Sequence, residues 1–233
     1  MDLTRALLGA IPDAPRWVEL RAALLLGSAV VHGKLGDCVV RGTGWGYNLF
    51  ALGEPALEVI EEAARIAPDA ELLAPPESQP YLASVLGQPG VRARILTLRE
   101  DRLPADPGDT RLLSVSDSHL VEHVPEPLRD ELLEALEYVP VAAVFVHGLA
   151  VSFCYPGSIT ETLWDIAIDT LEPFRRRVLA ARAVAAMVRH MRGLGRQPVW
   201  GAADDNPPSL ALAQKLGFDV VDHIFVFPTL EER

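Results

Sequence analysis

Three consecutive arginines, Arg175, Arg176 and Arg177, stand between an alternating segment, 162–170, and an alanine-rich segment that begins at Leu179. In 162–170, Trp164, Ile166 and Ile168 alternate with Asp165, Ala167 and Asp169, the pattern of a strand with one polar face. From 179 to 192, Leu179, Val184, Met187, Val188 and Met191 recur at helical spacing, and Gly193 and Gly195 end the run. A strand-to-helix turn aims free backbone amides and the positive end of the helix at one point, which suits a pyrophosphate. The arginines add guanidinium groups around that point, and Arg182 follows one or two turns further on.

The same segment concentrates positive charge in an acidic chain. Of 233 residues, 21 are Lys or Arg and 32 are Asp or Glu, for a net charge of -11. Between Glu172 and Arg196 there are seven arginines and one acid; between Glu100 and Glu137, eleven acids and three arginines. The arginines either meet an anionic ligand or pair with that acidic stretch. Two carboxylates that precede the cluster, Glu161 and Asp165, share strand parity and are candidate proton acceptors. His147 reads as a turn residue and His223 as a strand residue, with Cys154, Trp164 and Trp200 as packing. Asn206 and Ser209 open a helix whose first-turn prolines, Pro207 and Pro208, need no amide partner, and Gly217 closes it.

These residues need a frame, and the chain supplies the same frame twice. In the second half, 139–155 reads as a hairpin about His147-Gly148, followed by the strand 162–170, the helix, a short strand at 198–203, the Asn206 helix and a last strand at 218–228. In the first half, 28–42 reads as a hairpin, 47–53 as a strand, 53–68 as a helix with Pro55 near its start, 70–76 as a strand, 78–87 as a helix and 91–100 as a strand. Both halves have the order β-β-β-α-β-α-β, without visible sequence self-similarity. The linker expected at 101–110 sets two domains, 1–105 and 106–233, and a helix over about 127–137 opens the second.

Composition narrows the class. Hydrophobic residues make up 49% and charged residues 23%, which is globular and excludes wholesale disorder. Two cysteines far apart, without neighbouring ligands, speak against a disulfide framework or a metal site. No segment approaches the ~20 apolar residues of a bilayer span, and the N-terminus lacks a signal-peptide pattern, so a cytoplasmic protein with no membrane partner is expected. The negative charge argues against nucleic acid as a partner.

The segment 139–227 resembles the GNAT superfamily of acyl-CoA-dependent N-acetyltransferases. The resemblance rests on a strand followed by Arg175, Val178 and Ala180 in the pattern Arg/Gln-x-x-Gly-x-Gly/Ala, then Asn206 opening a helix that ends in Lys215-Leu216-Gly217-Phe218. It implies a tandem GNAT-like α/β (α+β) fold of two mixed β-sheets flanked by helices, with a degenerate N-terminal copy that lacks the phosphate loop. It implies acetyl-CoA as co-substrate, held by Ile168 and Thr170 of the strand, by Arg175, Arg176, Arg177, Val178, Leu179 and Ala180 of the loop, and by Asn206 and Ser209. An amine acceptor, small molecule or protein, would be acylated by direct attack in a ternary complex. Glu161 and Asp165 would take its proton in a monomer or homodimer without metal. The acidic stretch favours a cationic amine over an anionic one.

Three positions depart from the family pattern. Val178 replaces the first loop glycine, and a β-branched residue disfavours positive φ. Arg176 stands where small residues are common. Ala213 stands where many members carry the tyrosine that protonates the leaving thiolate. These departures define the alternative, a catalytically weakened GNAT pseudo-enzyme that binds CoA as a sensor or structural module.

Overall fold

The computed structural model describes residues 2–27, 29–42, 48–105 and 108–228. The first half begins with two helices, α1 (Leu3–Ala10) and α2 (Val18–Leu25), which the apolar pattern alone did not single out. There follow β1 (Val30–Lys34), β2 (Asp37–Arg41), β3 (Leu49–Leu52), α3 (Leu57–Ile66), β4 (Leu72–Ala74), α4 (Gln79–Leu86) and β5 (Val91–Leu98). The second half contains β6 (Thr110–Leu113), α5 (Leu128–Tyr138), β7 (Val141–Val146), β8 (Leu149–Ile159), β9 (Leu163–Thr170), α6 (Leu179–Gly193), β10 (Gln197–Ala203), α7 (Pro207–Lys215) and β11 (Phe218–Phe227). The repeated order expected from the sequence is present in both halves. Ser28 and Tyr47, at the margins of the expected hairpin and strand, lie outside the described residues, as do Asp106 and Pro107 at the expected domain boundary.

The strands form one sheet, not two. Its order is β1-β2-β3-β4-β11-β5-β10-β9-β8-β7-β6. The last strand of each half crosses into the other: β5 pairs antiparallel with β10, and β11 pairs antiparallel with β4. Beside each other in the middle, β5 and β11 are joined from Phe218–Leu98 to Val226–Val91. Periodicity reports which faces of a strand are apolar and says nothing of the edge it offers, so the exchange was not legible in the sequence.

Side chains alternate between two covered faces. Trp164, Ile166, Trp200 and Leu96 pack with α6 and α7, and Leu49, Ala51, Leu72 and Phe227 pack with α3 and α4 on the same face. On the opposite face, Leu163, Val199, Ile95, Phe50 and Ile224 meet α1 and α2, while Phe153, Tyr155 and Val141 meet α5. Trp164 and Trp200 are buried packing residues, and Trp200 meets Phe218 edge-on at 5.3 Å. The N-terminal helices thus cover strands of the C-terminal half.

That cover is pinned by polar contacts. Asp13 accepts hydrogen bonds from the Thr160 hydroxyl at 2.6 Å and from the Thr162 amide and hydroxyl at 3.0 and 2.7 Å. Arg21 of α2 donates to both Glu161 carboxylate oxygens and to the carbonyls of Leu8 and Ile11.

Candidate functional site

β9 and β10 run parallel, as a strand–helix–strand unit requires, but pair over only three rungs: Leu163–Gln197, Trp164–Pro198 and Asp165–Val199. Beyond Asp165 they part. β9 stays joined to β8 as far as Thr170–Ser152, and β10 to β5 as far as Ala203–Ala93. The gap therefore has two well-held walls. The Leu171 amide donates toward β8, to the Val151 carbonyl. Strand alternation then turns the backbone groups of Ile168 and Thr170 toward the gap. Gly201 is exposed although it lies in the middle of an interior strand, so the opening reaches down to the sheet.

At the end of β9 the chain makes a short 3₁₀ turn, Glu172–Phe174, before α6 begins. Among the described residues, no acceptor meets the amides of Arg176, Arg177, Val178, Leu179, Ala180 or Ala181. These are the orphan donors of a helix start, a kind of terminus that can accept an anion. Arg175, Arg176 and Arg177 are exposed, and among the described residues none forms an ion pair. Arg175 Nε donates to the Thr170 carbonyl at 3.0 Å, and the Arg177 guanidinium lies 5.4 Å from the Phe174 ring centre.

The conformational strain expected at Val178 falls two residues earlier. Val178 caps α6 with φ -74°, an ordinary value for a β-branched residue, whereas Arg176 adopts φ 61°. A non-glycine residue in that region costs about 1–2 kcal/mol. Two arginines further along α6 are used internally. Arg192 binds Asp101, and Arg189 donates to the Pro104 carbonyl. Among the described residues, the arginine-rich segment thus divides into a helix face that is tied to 101–104 and a loop without ion pairs.

The two candidate acids separate in the same way. Glu161 lies in the turn before β9, at the opposite end of that strand from the arginine loop, and its carboxylate is held by Arg21. Shared parity does not bring it into the gap, because it stands outside the strand and its partner draws it onto α2. Asp165 occupies the last rung before the strands part. Burial, then the charge of Glu19 on α2, push its carboxyl well above the ordinary aspartate range, and the Ile166 and Gly201 amides only partly offset this. Glu19 is itself raised, first by burial and then by Glu71, while Asn48 Nδ2 donates to it at 2.9 Å.

A second acid group sits nearer the loop. Asp169 is pushed up to about 6, chiefly by burial and secondly by Glu131, with Arg175 opposing. The Tyr155 hydroxyl donates to Glu131 at 2.7 Å. Asp169 continues the alternation of Asp165, so its position was open to sequence reasoning. Glu19, Glu131 and Tyr155 were not, since only the fold brings their elements to β9.

Other candidates fall into supporting positions. The Asn206 Oδ1 caps α7 by accepting from the Ser209 amide at 3.2 Å, and the Ser209 hydroxyl accepts from Trp200 Nε1 at 2.9 Å. Ala213 is fully buried in the core under α7. His223 lies on β11, with β5 and β10 between it and the gap. Cys154 is buried and its thiol is pushed up by burial, unlike a thiolate nucleophile. Among the described residues, no group of three or more potential metal ligands occurs, and no helix is long and apolar enough to cross a membrane.

Residues 142–227 match the family model described as GNAT acetyltransferase. The whole chain is similar in fold to a GCN5-related N-acetyltransferase-like protein from Streptococcus suis 89/1591 (18% identity, TM-score 0.66, covering 97% of this chain and 99% of that one). It is also similar to a GCN5-related N-acetyltransferase from Kribbella flavida (16% identity, TM-score 0.60, covering 92% and 94%). No curated protein matches the sequence.

Proposed function

We propose that the protein transfers an acetyl group from acetyl-CoA to an amine by direct attack. The observation that carries this reading is the parting of β9 from β10 after Asp165–Val199, next to a loop whose amides, among the described residues, lack acceptors and whose arginines form no ion pair. The CoA pyrophosphate would lie on the amides of Arg177 to Ala181, with the guanidinium groups of Arg175, Arg176 and Arg177 around it. The pantetheine arm would enter the gap and extend the sheet along the edge of Ile168 and Thr170, where the Thr170 carbonyl also accepts from Arg175. Asn206 and Ser209 would border it from the start of α7.

In the transfer the amine nitrogen attacks the thioester carbon, the C–N bond forms and the C–S bond breaks. The ammonium proton passes to Asp165, whose basicity burial raises. The thiolate leaves and takes its proton from water, since Ala213 supplies no hydroxyl. Glu161 has no part in this scheme. The N-terminal half, 1–105, is a GNAT-like partner without a phosphate loop. Its β3–α3 turn is filled by its own Asp37 carboxylate, which accepts from the Glu54 amide at 3.0 Å.

The buried Ala213 favours a second reading, a CoA-binding module with little turnover. Calorimetry with CoA, beside thiol release from acetyl-CoA in the presence of an amine panel, separates the two. Binding with turnover supports transfer, binding without turnover supports the module, and no binding overturns both.

A further inference from the structure

Gly157 and Gly201 flank Asp165 from the two neighbouring strands. A Cβ added to Gly157 would lie 3.3 Å from Asp165 Oδ2, and one added to Gly201 would lie 4.0 Å from Oδ1. Neither glycine has a positive φ, so backbone conformation does not call for glycine at either place. Gly157 is the extra residue of a bulge in β8 between Pro156 and Ser158, a device that re-aims side chains beside a site. Gly201 is exposed within an interior strand whose neighbours Trp200 and Ala202 are buried. A strand glycine without a conformational reason marks a place where another group approaches closely. Here both open onto one carboxylate, at the root of the gap.

We propose that Gly157 and Gly201 determine acceptor specificity by leaving room beside the Asp165 carboxylate, as a seat for the ammonium group of an unbranched primary amine. The proposal rests on the acetyl-transfer reading above. A methyl branch beside the nitrogen would compete for the space that a Cβ at either glycine would fill. The glycines bind nothing themselves; they leave room for the amine to reach Asp165.

The experiment compares wild type with Gly201→Ala and Gly157→Ala, using n-propylamine and isopropylamine as acceptors. Wild type should favour n-propylamine by tenfold or more in kcat/KM. Each variant should raise the KM for n-propylamine at least tenfold, with the Kd for acetyl-CoA within twofold of wild type. Gly201→Ala makes only an ordinary contact and should keep its Tm, so it carries the test if Gly157→Ala folds poorly. An unchanged KM in folded Gly201→Ala, or equal use of the two amines, overturns the glycine proposal alone. Binding of acetyl-CoA without acetylation of either amine by wild type also overturns it. Failure of wild type to bind acetyl-CoA overturns the underlying reading together with it.

Discussion

Arg21 and Glu161, separated by 140 positions in sequence, face each other through two hydrogen bonds of 2.9 and 2.6 Å. The pair ties α2 to the turn that starts β9, and so fixes the N-terminal helices over the C-terminal half. Its two members are not equivalent. The Arg21 side chain is 15% exposed and also serves two carbonyl groups, whereas that of Glu161 is 46% exposed. Replacing Arg21 by Met should cost about 1–3 kcal/mol, because the Leu8 and Ile11 carbonyls lose a donor. Glu161→Gln should cost less than about 1 kcal/mol, as expected for a partly exposed pair. Thermal unfolding checks the order, and equal effects would show that the ion pair outweighs the carbonyl contacts.

The loop arginines should matter for ligand and little for folding. Guanidinium groups at a helix N-terminus oppose the helix dipole, so Arg175 and Arg177 contribute almost nothing to the free protein. Charge-assisted hydrogen bonds to phosphate are worth roughly 1.5–3 kcal/mol each. The double variant Arg175→Gln/Arg177→Gln should weaken CoA binding by one or more orders of magnitude while Tm without ligand barely moves. Calorimetry at two salt concentrations should show the loss shrinking at high salt. Wild-type affinity in the variant would remove the phosphates from this loop.

Asp169 should make stability fall as pH rises. Its folded-state value of about 6 lies above the 3.8 of an unperturbed aspartate, so the folded protein holds this proton more tightly than the unfolded chain. Stability from this group is complete below about pH 4, declines between pH 4 and 6, and stays reduced above. Asp169→Asn should therefore raise stability at pH 8 by on the order of 2–3 kcal/mol and converge on wild type near pH 4. Parallel melting curves across pH 4 to 8 would show that burial does not penalise the carboxylate.

Gly217, the glycine of the Lys-x-Gly-Phe ending, has a steric role that can be measured. It adopts φ 94°, and a Cβ there would lie 1.8 Å from the Glu100 carbonyl oxygen. Gly217→Ala should cost about 3 kcal/mol or more, since backbone must move. Gly148, also left-handed at φ 82° but with open space around it, should cost only about 1–2 kcal/mol on the same change. Denaturant unfolding of the two variants gives the comparison directly, and equal costs would mean that φ alone decides.

The sequence by itself determined most strands and helices, though not α1, α2 or β6, and displayed the arginine cluster. The alternation of Trp164, Ile166 and Ile168, the helical spacing from Leu179 to Met191 and the Asn206–Gly217 helix are local patterns, each set by residues within a few positions. The arginine cluster and its resemblance to a phosphate loop were legible for the same reason. Tertiary structure alone decided that Arg189 and Arg192 are tied down, because they meet 101–104 only after the chain returns along α6. It also decided that β5 and β11 exchange partners, since strand edges carry no side-chain period. Parity placed Glu161 and Asp165 alike, yet Arg21 holds the first at the far end of β9 and burial beside Glu19 sets the second apart. Charge and basicity at these carboxylates depend on distances through the folded interior, and linear order does not encode those distances.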